Sequence, residues 1–252
     1  VKISVVIIAF NEEDKVAEAI KSVLWADEIL LIDSESTDRT RQIAASFGAK
    51  VIVQKWLGFA KQKQFAVEAA QNDWILSLDA DERVSEKLKE EILKLKTLPE
   101  ENLADGYKMP RLSFYYGRPV WHGGWYPDWQ LRLFNRQKGK WRDVLIHESV
   151  EVEGKIEKLS GNILHFSVEN AEHHHRMIGE RYAPMAAEQM FKNGKRTSFL
   201  KIFTVGLTTF FHTYFLKLGF LDGLPGFCIA SFAAHHSFLK HLILWELQNR
   251  KN

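Results

Sequence analysis

One cysteine, Cys228, stands among 252 residues. It excludes a disulfide framework and a cysteine-built metal site, and it fits a reducing compartment. Charge of one sign is missing too. The 34 Lys and Arg against 32 Asp and Glu leave a net charge of +2, so there is no basic field and no nucleic-acid partner is expected. No G-x-G-x-x-G follows the first apolar run, which excludes a dinucleotide-binding turn, and no Walker A sequence is present. Val1-Lys2-Ile3-Ser4 leads straight into a strand-like run, and no signal peptide is expected there. There is no internal repeat and no low-complexity tract. The length suits one large domain, or one domain with an appendage.

Within these bounds the first 95 residues read as strands alternating with helices. Residues 3–8, Ile-Ser-Val-Val-Ile-Ile, are β-branched and apolar without alternation, as in a buried parallel strand. Asn11 reads as a helix N-cap, with Glu12, Glu13 and Asp14 in the first turn and Val16, Ala19, Ile20, Val23 and Leu24 at helical spacing. A second strand over 28–32 ends at Asp33. Thr37 opens a helix that stops at Gly48. Residues 51–53 form a short strand, 60–71 a helix, 74–78 a fourth strand, and Ser85 to Leu95 another helix. That alternation predicts a parallel sheet with right-handed crossovers. From Gly106 the texture changes. Aromatic runs at 107–112, 130–134 and 163–166, set between Gly, Pro and Asn, predict antiparallel or mixed strands at one end of the sheet. Past about Asn170 the chain turns helical. The division expected is 1–168 and 169–252.

Asp79-Ala80-Asp81-Glu82 lies directly behind the fourth strand. Two carboxylates at spacing two, at the carboxyl end of a buried strand, make a hard oxygen site suited to Mg²⁺ or Mn²⁺. Water and phosphate oxygens would fill the remaining positions, and the metal would neutralise charge on a departing diphosphate. The plainer alternative is an acidic turn capping the next helix. Glu82 reads as a first-turn acid of that helix.

Four polar clusters sit at expected strand ends or later in the chain: Ala9-Phe10-Asn11-Glu12, Asp33-Ser34-Glu35-Ser36-Thr37-Asp38, Asp79-Ala80-Asp81 and Ile146-His147-Glu148. In order and spacing they resemble the family 2 glycosyltransferases, which use the GT-A fold. The segment 126–134, His147-Glu148 and the tail 218–223 resemble the lipopolysaccharide-core glucosyltransferases of Gram-negative bacteria. The resemblance implies an α/β, GT-A chain with a mostly parallel nucleotide-binding sheet flanked by helices. It implies an inverting, metal-dependent transfer of a hexose, glucose foremost, from a UDP-sugar donor to a lipid-anchored oligosaccharide acceptor. That acceptor would be an inner-core heptose of lipopolysaccharide or lipooligosaccharide.

Carried over by position, Asp33 would accept the imide N–H of uracil, a task suited to an acceptor-only carboxylate. Backbone at Ala9 and Phe10, with Glu12, would line the nucleotide pocket. Asp79 and Asp81, with Ala80 between them, would serve the diphosphate and its metal, Asp81 as the direct ligand. Lys61 would meet a phosphate, with Lys63 as the alternative, and Arg132 a phosphate or the acceptor. An inverting transfer also needs a carboxylate to take the acceptor proton. The family often supplies it from an E-D pair, which this chain lacks downstream of D-x-D. Glu148 and Asp128 are the candidates, Glu148 preferred. Trp121, Trp125 and Trp129 recur every four residues, but Gly123, Gly124 and Pro127 forbid a helix. Their indoles either stack on sugar faces or plug the core edge. His165 reads as a core histidine or a further metal ligand, and Glu172-His173-His174-His175 as a solvated helix start.

The tail, 199–247, is strongly apolar. Its uncharged stretches, 202–216 and 223–239, fall short of the roughly 20 apolar residues of a spanning helix. Lys192, Lys195, Arg196, Lys201, Lys217 and Lys240 flank them. Apolar helices with basic flanks lie in a membrane interface, which predicts a peripheral enzyme on the cytoplasmic face of the bacterial inner membrane. The alternative is a helical subdomain packed on the sheet or on a second subunit, making a homo-oligomer. A competing enzyme reading is a polyprenyl-phosphate sugar synthase, or another family 2 transferase with a different glycan acceptor. The 126–134 segment and the short tail argue against the synthase.

Overall fold

A computed structural model of the chain describes residues 1–142, 149–168 and 170–250. Two compact units emerge, Val1–Arg111 with Asp128–His165, and Leu112–Pro127 with Phe166–Asn252.

The first unit opens with β1 (Ile3–Ala9), α1 (Val16–Lys21), β2 (Glu28–Asp33), α2 (Thr40–Ser46), β3 (Lys50–Val53), α3 (Phe59–Ala69) and β4 (Trp74–Asp79). The chain goes on through β5 (Glu82–Val84), α4 (Glu86–Thr97), β6 (Gly106–Tyr115), β7 (Arg118–Pro119) and β8 (Asp128–Asn135). Short strands β9 (Gly139–Trp141), β10 (Val150–Val152) and β11 (Ile156–Lys158) precede β12 (Ile163–Val168). The main sheet runs β3-β2-β1-β4-β8-β6-β12-β5, and β9 pairs with β10 apart from it. β1 lies between β2 and β4, parallel to both. Beyond β4 the neighbours β8 and β6 are antiparallel. This is the mostly parallel sheet with an irregular end that the sequence predicts.

All seven residues of β1 are buried. Alternate residues serve opposite layers, which is why the strand reads as an unbroken apolar run. Val5, Ile7, Leu31 and Leu78 pack with Val16, Ile20, Ala44 and Leu88. Val6, Ile8, Leu30 and Ile75 pack with Ala66 and Val67 of α3. Ser85 caps α4 by accepting from Leu88 N at 3.3 Å, with Glu86 in the first turn and Lys94 and Lys96 in the last, matching the helix dipole. Register sets the carboxyl ends of the parallel strands level, with Ala9 opposite Asp33 and Ile8 opposite Asp79.

The second unit is mainly helical: α5 (Ala171–Arg176), a π-helical turn (Met177–Tyr182), α6 (Ala183–Lys192), α7 (Phe199–Phe211) with a π-helical end (His212–Leu216), a 3₁₀ turn (Gly219–Asp222) and α8 (Leu224–Asn249). Leu112–Pro127 belongs with these helices, although the sequence boundary near 168 leaves it with the sheet. The reason is long-range bonding: Gly123 N donates to Lys217 O at 2.8 Å, and Asp222 accepts from His122 N at 2.8 Å. α7 and α8 run antiparallel, Thr197 bonding to Gln248 at one end and Tyr214 packing on Phe227 at the other. Phe199–Leu216 and Leu224–Asn249 are long and apolar enough, by length and composition, to cross a membrane. The second exceeds the uncharged stretch because its helix continues through Lys240 and Glu246.

Candidate active site

The site starts where β1, β2 and β4 end. Asp33, the last residue of β2, is fully buried. Its Oδ2 accepts from Ser36 N at 2.9 Å and lies 3.7 Å from Arg41 Nε. Its Oδ1 is buried with no hydrogen-bond partner among the described residues. Asn11 does not cap a helix. It takes a left-handed φ of 53°, its Oδ1 accepts from Thr37 N at 2.8 Å, and its own N donates to Ser36 Oγ at 2.9 Å. The residue therefore ties the loop after β1 to the loop after β2, while Lys15 occupies the start of α1. Glu12 continues the tie, its N donating to Thr40 Oγ1 at 2.8 Å. α2 starts at Thr40, not Thr37, because Asp38 Oδ1 accepts from Thr40 N at 2.9 Å. Phe10 is exposed beside Ala9, which is buried.

At the end of β4, Asp79 meets two buried cations. Lys63 Nζ lies 2.9 Å from its Oδ1, and Arg132 Nη2 donates to its Oδ2 at 3.2 Å. Burial works to raise the pKa of this carboxyl, but Lys63, Arg132 and His165 override it and hold it well below the carboxylate range. The lysine and the guanidinium both lie over the Trp141 ring, at 4.9 and 5.6 Å from its centre. Lys61 is exposed, whereas Lys63 is buried. Arg132, on β8, is also buried and pairs with Glu82 at 3.1 Å. Ala80 is buried, and Asp81 Oδ2 lies 3.5 Å from Nε2 of His165 on β12.

Glu82 is not a helix acid. The chain enters β5 instead of a helix, and β5 pairs with β12 through Glu82 and His165. The carboxylate is fully buried. One oxygen accepts from Asp79 N at 3.0 Å; the other accepts from Arg132 Nη2 at 3.1 Å and Arg111 Nη1 at 3.4 Å. Arg111 reaches on to Asp128, donating from Nε at 2.9 Å. Burial alone would lower the pKa of this guanidinium, yet Glu82 and Asp128 together raise it. Asp128 has both oxygens engaged, since Gln130 Nε2 donates to its Oδ1 at 2.7 Å. Glu148, with Ile146 and His147, lies outside the described residues.

Among the described residues no three His, Cys, Asp or Glu side chains gather into a ready-made metal shell. Asp81 and Asp79 nevertheless carry carboxylate oxygens of the kind Mn²⁺ and Mg²⁺ accept, with water and substrate oxygens needed to complete the set.

The tryptophans divide. Trp129 is 38% exposed and lies under Lys158 Nζ at 4.5 Å. In the second unit Trp125 packs edge-on to Tyr115, while Trp121 is 43% exposed. His174 is no solvated residue. It is buried, its Nδ1 lies 3.0 Å from Tyr115 Oη, and burial lowers its pKa to about 4.

Residues 4–150 match the family described as Glycosyl transferase family 2. An uncharacterized glycosyltransferase of Rickettsia typhi is 33% identical over 98% of this chain and 87% of its own length. The lipopolysaccharide core biosynthesis glycosyltransferase LpsC of Rhizobium meliloti is 30% identical over 94% of this chain and 89% of its own. A solved structure of S. aureus TarS 1–349 in complex with UDP-GlcNAc covers 99% of this chain and 92% of that one, at 12% identity and a TM-score of 0.49. On the family match and these relatives, the chain belongs to glycosyl transferase family 2 and is a glycosyltransferase.

Proposed function

We propose that this glycosyltransferase moves a hexose, glucose foremost, from a UDP-sugar to an inner-core heptose of lipopolysaccharide, with inversion at the anomeric carbon. One observation carries the donor reading: Asp33 Oδ1 is a fully buried acceptor without a donor among the described residues, at a strand end level with Ala9. A buried acceptor left unpaired is costly, and a uracil imide N–H would satisfy it. Backbone at Ala9 and Phe10, with Glu12, then lines the nucleotide side.

The diphosphate falls to the β4 end. Asp81 is the direct ligand of a divalent Mg²⁺ or Mn²⁺, Asp79 the supporting carboxylate, and Lys63 and Arg132 are fixed cations for phosphate oxygens. Of the two lysines that the sequence offers for a phosphate, Lys63 is the one beside Asp79, while Lys61 is exposed about 200° around the same helix. The metal, when bound, offsets negative charge on the leaving diphosphate. Glu148 takes the acceptor proton. Asp128 is the weaker candidate because Arg111 and Gln130 already engage both of its oxygens. The acceptor class rests on similarity to the lipopolysaccharide-core relative. An acceptor of that kind is lipid-anchored, and the apolar C-terminal helices hold the enzyme peripherally on the cytoplasmic face of the inner membrane.

The test is a donor screen of UDP-sugars with Mn²⁺ or Mg²⁺ and purified core acceptor, read by UDP release and product anomer. UDP-glucose turnover and a β-linked product from the α-linked donor are expected. A retained configuration overturns the mechanism, and turnover only with another acceptor overturns the lipopolysaccharide assignment.

A further inference from the structure

We infer that the second unit carries a bilayer-docking tip, made of the Leu216–Leu224 turn and the Trp121 loop, which takes an anionic phospholipid surface. This rests on the membrane reading above and adds to it the place where lipid is met.

The turn has its apolar side chains outside. Leu216, Leu221 and Leu224 are 65%, 56% and 64% exposed. The backbone beneath is tightly packed. A Cβ on Gly219 would lie 2.8 Å from Thr213 O, and one on Gly226 would lie 1.8 Å from Gly219 O. Leu218 holds a left-handed φ of 58° while its side chain is 46% exposed. A branched residue in that conformation is strained, and Leu218 leaves nearly half of its surface in solvent. α7 continues the surface with its large residues outward: Phe203 and Leu207 are exposed, while Val205 is buried. A water-soluble helix has the opposite pattern.

The Trp121 loop is fastened to this turn. Asp222, at the end of the 3₁₀ turn, accepts from Trp121 N at 3.2 Å, His122 N at 2.8 Å and His122 Nδ1 at 2.9 Å. Lys217 lies across the loop, where a Cβ on Gly124 would come within 2.7 Å of its Nζ. The Asp222 side chain is 4% exposed and engaged by these donors, so it offers little repulsion to lipid phosphate. An exposed indole and an exposed lysine therefore border an apolar turn. That is the chemistry of the headgroup layer, where tryptophan sits at the interface and lysine meets phosphate. In the sequence the Trp121 indole either stacks on sugar or plugs the core edge; its exposure and the loop's fastening to the turn point to lipid instead.

The experiment is flotation of the full-length protein with phosphatidylcholine vesicles, with and without phosphatidylglycerol. Lys217→Glu is expected to weaken binding to the anionic vesicles roughly thirtyfold, from a two-unit charge change. Leu221→Asp is expected to weaken it about tenfold or more, from the lost apolar contact. Trp121→Ala should weaken it severalfold. Leu93→Asp, at an exposed position of α4 in the other unit, should change it by less than about twofold. Retained UDP binding and an unchanged circular dichroism spectrum identify folded variants. Vesicle binding by the parent protein with no loss in the three tip variants overturns the tip and leaves the membrane reading standing. No vesicle binding by the parent overturns both. A dimer in ultracentrifugation that Leu221→Asp dissociates, without vesicle binding, assigns the surface to a second copy and overturns the lipid assignment.

Discussion

Replacing Glu82 by Gln tests the charge network behind the Asp-x-Asp turn most directly. Gln keeps the volume but has one acceptor oxygen. With that oxygen toward the guanidinia of Arg111 and Arg132, its amide N–H₂ meets Asp79 N–H. Turned the other way, it meets the guanidinia. Donor faces donor in both cases, in a place where the Glu82 side chain is 0% and that of Arg132 3% exposed. The balance also changes. Asp79, Glu82 and Asp128 face Lys63, Arg132 and Arg111 in the parent, and one anion is lost. Breaking a buried ion pair costs about 3–5 kcal/mol. Arg111 is 24% exposed, and Gln keeps one bond, so the lower end, about 3 kcal/mol, applies here. At about 2–4 °C per kcal/mol for a unit of this size, the first unit should lose roughly 6–12 °C in Tm. Thermal unfolding by circular dichroism in EDTA measures this without metal effects. Glu13→Gln is the control, since its pair with Arg39 has side chains 33% and 77% exposed and should shift Tm by less than about 2 °C. Adding Arg132→Met to Glu82→Gln should recover part of the loss, because it restores the balance of two anions, Asp79 and Asp128, against two cations, Lys63 and Arg111. A Glu82→Gln shift no larger than the control would refute the reasoning.

Asp33→Asn keeps the shape of the base pocket but replaces one acceptor oxygen with a donor, and should weaken UDP binding by about 1.5–3 kcal/mol in calorimetry; unchanged affinity would remove Asp33 from uracil recognition. UDP should raise thermal stability much more with Mn²⁺ than in EDTA, by mass-action linkage, and Asp81→Ala should abolish the difference; equal stabilisation in EDTA speaks against the metal role. Glu148→Gln should lower kcat by roughly 10²–10⁴ with donor binding preserved, and Asp128→Asn should instead lower stability by loosening Arg111; the reverse pattern makes Asp128 the base. His174 is held neutral down to about pH 4 in the folded protein against an ordinary value of 6.5. The unfolded chain therefore takes up the proton first, and this contribution to stability is lost as pH falls from about 6.5 towards 4, by about 2 kcal/mol after allowance for partial solvent access. His174→Gln should flatten the Tm profile across that window, and an unaltered slope would show the ring to be solvated.

The sequence by itself determined the parallel core and the carboxylates at its edge. Strand and helix periods are local, and a polar residue behind a buried apolar run has to stand at a strand end, so Asp33, Asp79 and Asp81 were legible with β1, β2 and β4. Only tertiary structure decided which side chains join them. Lys61 and Lys63 are two residues apart on one helix, about 200° around its axis, and their exposure depends on which face the sheet covers. Arg132 reaches Asp79 because β8 inserts beside β4, a pairing of residues more than fifty positions apart. Asp81 finds His165, and Glu82 leaves the helix for a strand, because β12 arrives from the far end of the unit to pair with β5. Asn11 gives up a cap for a bond to a neighbouring loop that its own segment cannot announce. Local pattern specifies the frame, because it depends on the chain's own periodicity. The charged network inside the frame is set by strand order, which brings together residues that no short window of sequence contains.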